Sequence, residues 1–161
     1  HLFVEDFDTD RAEVMLRARE VGITHILMPN IDVASVAPML RVCEEYSGFC
    51  FPMIGLHPTE VDANFQDALK SLKPLLDVHP FIAIGEVGLD LYWDKTYKKE
   101  QLSALDEQIA WALEYDLPLV IQYTAFFLQL DLVVQVYKFL FLSSNLHHHL
   151  VHPCYSMYVA I

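Results

Sequence analysis

Positive charge is scarce in this chain: 10 Lys and Arg residues stand against 22 Asp and Glu, for a net charge of −12. That balance argues against passive, sequence-independent binding along DNA, which relies on Lys and Arg to neutralise phosphates. It does not exclude phosphate chemistry, because metal ions can supply positive charge locally. Cysteine is sparse too. Cys43, Cys50 and Cys154 form no C-x-x-C pair and no even framework, so they read as reduced thiols of a cytosolic protein. No G-x-S-x-G, P-loop or dinucleotide fingerprint occurs, and no internal repeat or low-complexity linker is visible. An initiator Met is missing, the N-terminus reads as cut, and no signal peptide stands at His1.

Two further scarcities divide the chain. All five glycines lie at or before Gly88, and residues 122–161 carry only Asp131 and Lys138 as charges, 2 in 40 positions. The apolar run Leu119 to Leu142 raises a transmembrane question. Asp131, Lys138 and three glutamines argue against a span, since each central charge costs about 2.5–3.5 kcal/mol.

Residues 1–121 alternate strongly. A helix is expected over 8–21, capped by Asp8 or Thr9, with Val14, Leu16, Ala18 and Val21 on its apolar face. A strand follows at 23–28, ended by Pro29-Asn30. Asp32 can cap a second helix to about Tyr46, carrying Val36, Met39, Leu40 and Cys43. The next strand is 49–54, leading into Gly55-Leu56-His57-Pro58. Asn64 can cap a third helix through Leu69, Leu72 and Leu76. A strand at 81–85, a long amphipathic helix from about Tyr97 to Tyr115 and a strand at 118–121 complete the run. Strand–helix alternation of this kind implies a parallel sheet with helical crossovers.

The stretch Phe81-Ile82-Ala83-Ile84-Gly85-Glu86-Val87-Gly88-Leu89-Asp90 organises the rest. An apolar run that suits a buried parallel strand breaks at Gly85, and a carboxylate follows at once. A Glu there is costly unless something pairs with it. A metal ion is one partner; a backbone amide or a Lys is the structural alternative. Gly85 and Gly88 allow a sharp turn or a close approach to a ligand.

Ile84-Gly85-Glu86-Val87-Gly88-Leu89-Asp90 resembles the G-E-x-G-L-D signature of the TatD-type family of metal-dependent deoxyribonucleases. Other stretches fit in the same order: His1-Leu2 as the end of H-x-H-L, Gly55-Leu56-His57-Pro58 as G-x-H-P, then Lys99-Glu100-Gln101 and Asp116-Leu117-Pro118-Leu119-Val120-Ile121. The resemblance covers residues 1 to about 121. It implies an α/β fold, a partial TIM (β/α)8 barrel truncated at the N-terminus and lacking the C-terminal half. A complete barrel typically needs about 250 residues. On this reading 1–121 is a hydrolase-like partial barrel, and 122–161 is an atypical apolar tail packed on or replacing the remainder. The composition shift at Gln122 reads as a lost reading frame, a mis-joined coding segment or a divergent end. Five strand positions cannot close eight, so apolar sheet edges are expected to stay exposed.

The resemblance also implies chemistry: hydrolysis of phosphodiester bonds in DNA by metal-activated water, with two divalent ions, Mg2+, Mn2+ or Zn2+. Glu86 is the implied catalytic residue and, with His1, a metal ligand. His1 is otherwise only a terminal residue. His57 is implied to contact substrate phosphate or support the metals, or else it is a loop histidine that packs. Asp90 either orients a ligand from behind or caps its turn. Gln122 stands where the family places a metal-binding His, so it is a degenerate ligand position. His147-His148-His149 with His152 resembles a metal tract by composition, although three adjacent histidines cannot all face one ion. His25 and His79 read as structural. The expected partner is DNA, with no membrane and no protein partner, in the cytoplasm. The alternative function is a truncated, non-catalytic relative that at most binds a metal or a partner.

Overall fold

The computed structural model describes residues 1–92, 95–124 and 157–160. Trp93 and Asp94, the histidine tract at 147–149 with His152, and most of the apolar tail lie outside the described residues.

Strands and helices alternate as the sequence implies. The order is α1 (Arg11–Glu20), β1 (Ile26–Pro29), α2 (Val36–Glu45), β2 (Cys50–Met53), α3 (Phe65–Leu72), β3 (Ile84–Asp90), α4 (Lys98–Glu114), β4 (Leu119–Thr124) and β5 (Met157–Ala160). β1 pairs with β2 in parallel, and β3 pairs with β4 in parallel. A parallel bridge between Ile54 and Ile84 joins the two pairs. Bonds from Ile82 N–H to the Pro52 carbonyl (3.0 Å) and from Gly85 N–H to the Ile54 carbonyl (2.8 Å) support it. The spatial order is therefore β1-β2-β3-β4, each step a helical crossover, and the sheet does not close among the described residues. β5 lies antiparallel on the outer edge of β4, with Ile121 opposite Val159. That edge is covered, while Leu27 of β1 remains 49% exposed.

Helical faces account for the main core. Val36, Met39, Val42 and Cys43 of α2 are buried, as are Phe65, Leu69 and Leu72 of α3. Ala104, Leu105, Trp111 and Ala112 of α4 join them, together with Ile54, Ile84, Val87 and Leu89 from the strands. A smaller cluster of Met53, Ala83 and Val120 packs separately from that core.

Several local expectations shift. α1 buries only Met15, and Leu16 and Val21 are exposed. Its N-cap is Asp10, without a side-chain bond, and Asp8 forms an ion pair with Arg11 instead of capping the helix. α2 starts at Val36 rather than after Asp32. The Asp32 carboxylate accepts the Ser35 N–H (2.8 Å), and Ser35 Oγ in turn accepts the N–H groups of Ile31 and Asp32. The third helix stops at Leu72 and continues as a 3-10 turn over Lys73–Asp77. Pro74 has no N–H with which to continue an α-helical ladder. The largest difference is β3. It does not end at Gly85 but runs to Asp90 with all seven residues buried, so Glu86 sits inside a strand.

Candidate active site

Glu86 is the residue that the fold treats most unusually. It is 4% exposed, and its Oε1 atom is enclosed without a hydrogen bond from any described residue. A carboxylate in that position carries an uncompensated desolvation cost. Burial pushes the Glu86 carboxyl above the ordinary carboxylate range, and the charge of the His1 amino group opposes that shift. The His1 amino group falls below its usual value through burial, with the Glu86 carboxylate opposing. Each group thus feels the other's charge.

The backbone shows why β3 can carry a carboxylate between two glycines. A Cβ on Gly85 would stand 2.7 Å from the Val120 Cβ and 2.9 Å from the Val120 carbonyl oxygen. A Cβ on Gly88, whose φ is +144°, would land on the Gln122 carbonyl oxygen. Both glycines let β3 press against β4, with a register shift between Ile84 and Val87. Closeness of strands, rather than a turn, is what they provide.

His57 follows β2 and opens the 3-10 turn Pro58–Glu60. Its Nδ1 lies 2.7 Å from Thr59 Oγ1 and accepts the Thr59 N–H at 3.3 Å. Burial lowers the pKa of the imidazole, while a hydrogen bond to the Gln122 side chain and the Asp90 carboxylate act to raise it. The ring of His1 stands edge-on to that of His57, with centroids 6.3 Å apart. Gln122 is half-buried on β4, opposite Gly88. Asp90 ends β3, is 8% exposed, and accepts the Tyr92 N–H at 3.2 Å, which is the turn-capping arrangement.

Contacts and mutual charges therefore link His1, His57, Glu86, Asp90 and Gln122 at one end of the parallel sheet, the end where the strands finish. Ligands bind at that end of parallel α/β sheets. The enclosed Glu86 oxygen suits a cation. However, no group of three His, Cys, Asp or Glu able to hold a metal ion occurs among the described residues. The donor set that these residues offer is thus partial. Nor is any helix among them long and apolar enough to cross a membrane.

Reading from sequence alone misses two residues beside this site. Asn30 and Gln108 are 0% and 1% exposed, and both bond the loop that carries His57. For Gln108 a signal existed: Gln101 and Gln108 lie seven positions apart, so they share the α4 stripe with Ala104, Leu105 and Trp111. Gln101 clasps the backbone N–H and carbonyl of Asp90 at 3.0 and 3.3 Å.

Comparison with known proteins follows the same residues. The family described as TatD related DNase matches residues 1–126. The uncharacterized metal-dependent hydrolase YabD of Bacillus subtilis is 36% identical over 121 residues, 75% of this chain and 47% of that protein. The 3'-5' ssDNA/RNA exonuclease TatD of Pantoea ananatis is 30% identical over 112 residues, 70% of this chain and 43% of that protein. The crystal structure of YjjV, a TatD homolog from Escherichia coli, superposes with a TM-score of 0.69 at 31% identity, covering 75% of this chain and 47% of that one. The chain spans about half the length of the curated relatives it matches.

Proposed function

The chain belongs to the TatD related DNase family, and on that premise we propose that it carries the first part of a divalent-metal-dependent hydrolase site acting on phosphodiester bonds of DNA. The observation that carries this reading is the enclosed Glu86 oxygen without a hydrogen bond from any described residue, near His1, whose ring in turn stands against that of His57. A cation is the partner that such an oxygen lacks. The order β1-β2-β3-β4 supports a further part of the reading, that residues 1–121 belong to one sector of a (β/α)8 barrel.

Bound divalent ions supply Lewis acidity and an activated water near neutral pH. Glu86 would hold the ions from within β3, and His1 would offer an imidazole. His57 presents a ring tied through Nδ1 to Thr59 and hydrogen-bonded to the Gln122 side chain, so a phosphate oxygen would reach its other nitrogen by displacing Gln122. Asp90 supports His57 electrostatically. Nucleic acid is also what the Pantoea relative's name gives as its substrate.

A second reading rests on a specific observation. Described residues bring no third acidic, imidazole or thiolate ligand to Glu86, and a neutral amide, Gln122, stands on β4. That pattern suits a non-catalytic relative which at most binds a metal weakly. One assay separates the two readings. End-labelled single- and double-stranded DNA is incubated with the chain and Mn2+ or Mg2+, with and without chelator, while Mn2+ binding is titrated in parallel. Chelator-sensitive cleavage lost in Glu86→Ala establishes the hydrolase. Mn2+ binding that depends on Glu86 without cleavage establishes the non-catalytic relative. Absence of both removes Glu86 from any metal role.

A further inference from the structure

We propose that Asn30 and Gln108 are positioning residues that set the place of His57 by clasping the backbone of the two residues before it. This rests on reading His57 as a group that faces the substrate or the metals.

Three consecutive N–H groups lead into the His57 ring, and they are bonded alternately to two segments, the β1–α2 loop and helix α4. The Gly55 N–H donates to Asn30 Oδ1 at 2.8 Å. The Leu56 N–H donates to Gln108 Oε1 at 2.6 Å. The His57 N–H donates to the Ile31 carbonyl at 2.9 Å. Asn30 also closes the Gly55 carbonyl, donating from Nδ2 at 2.8 Å, so one amide satisfies both backbone groups of that residue. The arrangement continues the β1–β2 ladder past its last pair, Pro29 with Met53, using a side chain in place of a strand.

Both amides are themselves aimed. Asn30 Nδ2 donates a second time, to the Asp32 carbonyl at 2.9 Å. Gln108 Nε2 donates to the Ala104 carbonyl of its own helix at 3.1 Å. Oxygen and nitrogen are thereby distinguished at each amide, and the acceptor can point only one way. Gly55 removes the remaining slack. A Cβ there would stand 2.7 Å from Val87 Cγ1 and 3.2 Å from Gln108 Oε1. Helix α4 and the β1–α2 loop, far apart in sequence, thus hold one tripeptide from two sides. Apolar side chains of similar volume would fill the same space but leave the Gly55 and Leu56 N–H groups buried without acceptors.

The test is metal-free NMR of the full chain with 13C-labelled histidine, the His57 peak being assigned with His57→Gln. The native chain is expected to give one sharp His57 peak. Gln108→Met keeps the volume and removes the acceptor, and Asn30→Ala removes the bridge to Gly55. Each is expected to split, broaden or displace that peak while core methyl peaks stay in place. Gln108→Glu, in its neutral acid form, retains an acceptor for the Leu56 N–H and a donor for the Ala104 carbonyl, and should restore a single peak. Leu72→Ala, destabilised at a remote core position, should leave it unchanged. An unchanged His57 peak in folded Gln108→Met overturns the proposal, as does a Leu72→Ala peak that moves equally. Should Asn30→Ala not fold, Gln108→Met and Gln108→Glu decide alone. No metal or DNA enters the measurement, so a failed cleavage assay and a failed clasp give different results.

Discussion

Gly88 of β3 and Gln122 of β4 are register partners whose backbones meet so closely that a Cβ on Gly88 would overlap the Gln122 carbonyl oxygen. This contact places the one candidate ligand position on β4 against the strand that carries Glu86. It also makes Gly88 irreplaceable on two counts, the close approach and a φ of +144°.

Gly88→Ala should therefore destabilise the chain by at least about 2 kcal/mol, the sum of strain and overpacking. Chemical denaturation followed by circular dichroism measures it. A variant as stable as the native chain would show that β3 and β4 can separate without cost.

Glu86→Gln removes a buried charge whose Oε1 receives no hydrogen bond from the described residues. In chelator, the variant should be more stable than the native chain by about 1 kcal/mol or more. Added Mn2+ should raise the melting temperature of the native chain and leave the variant unmoved. Equal responses to Mn2+ would place the ion elsewhere.

Gln122→His replaces a neutral amide oxygen with an imidazole, a better donor to transition metals. Binding of Mn2+ or Zn2+, followed by competition with a fluorescent chelator, should tighten about tenfold or more, about 1.4 kcal/mol. Unchanged affinity would mean that the Gln122 side chain does not face the ion.

Cys43 and Cys50 are buried free thiols. Burial is the main cause that raises the Cys43 pKa from 9.0 to about 12. The native thiol holds its proton more tightly than the unfolded one. Its stabilising contribution is therefore present below the unfolded value of 9.0 and is lost as pH rises towards about 12. Burial likewise raises Cys50, with Arg19 opposing. Iodoacetamide at neutral pH should modify neither residue until urea unfolds the chain, as site-resolved mass spectrometry would show. Alkaline loss of stability should be smaller in Cys43→Ala.

Much was legible before any coordinates. Apolar spacing marked four helices and four parallel strands, because core-facing positions must recur with the period of the element they lie on. The motif residues Glu86, His57 and Asp90 stood out as candidate groups through the family resemblance. A carboxylate beside two glycines in an apolar run needs a partner, a metal ion or else a backbone amide or a Lys. What local pattern could not decide was the role of those glycines. Gly85 and Gly88 look like punctuation, and only the distance to Val120 and Gln122 shows that they let β3 lie close against β4. Nor could it reveal the clasp. Asn30 and Gln108 are ordinary polar letters, and they become anchors only when Gly55 and Leu56 arrive from 25 and 52 positions away. Sequence by itself determined the order of the elements and marked the candidate groups, since both depend on neighbouring residues. Tertiary structure alone decided which groups meet and what holds them, because a buried polar side chain is defined by partners that the chain brings from afar.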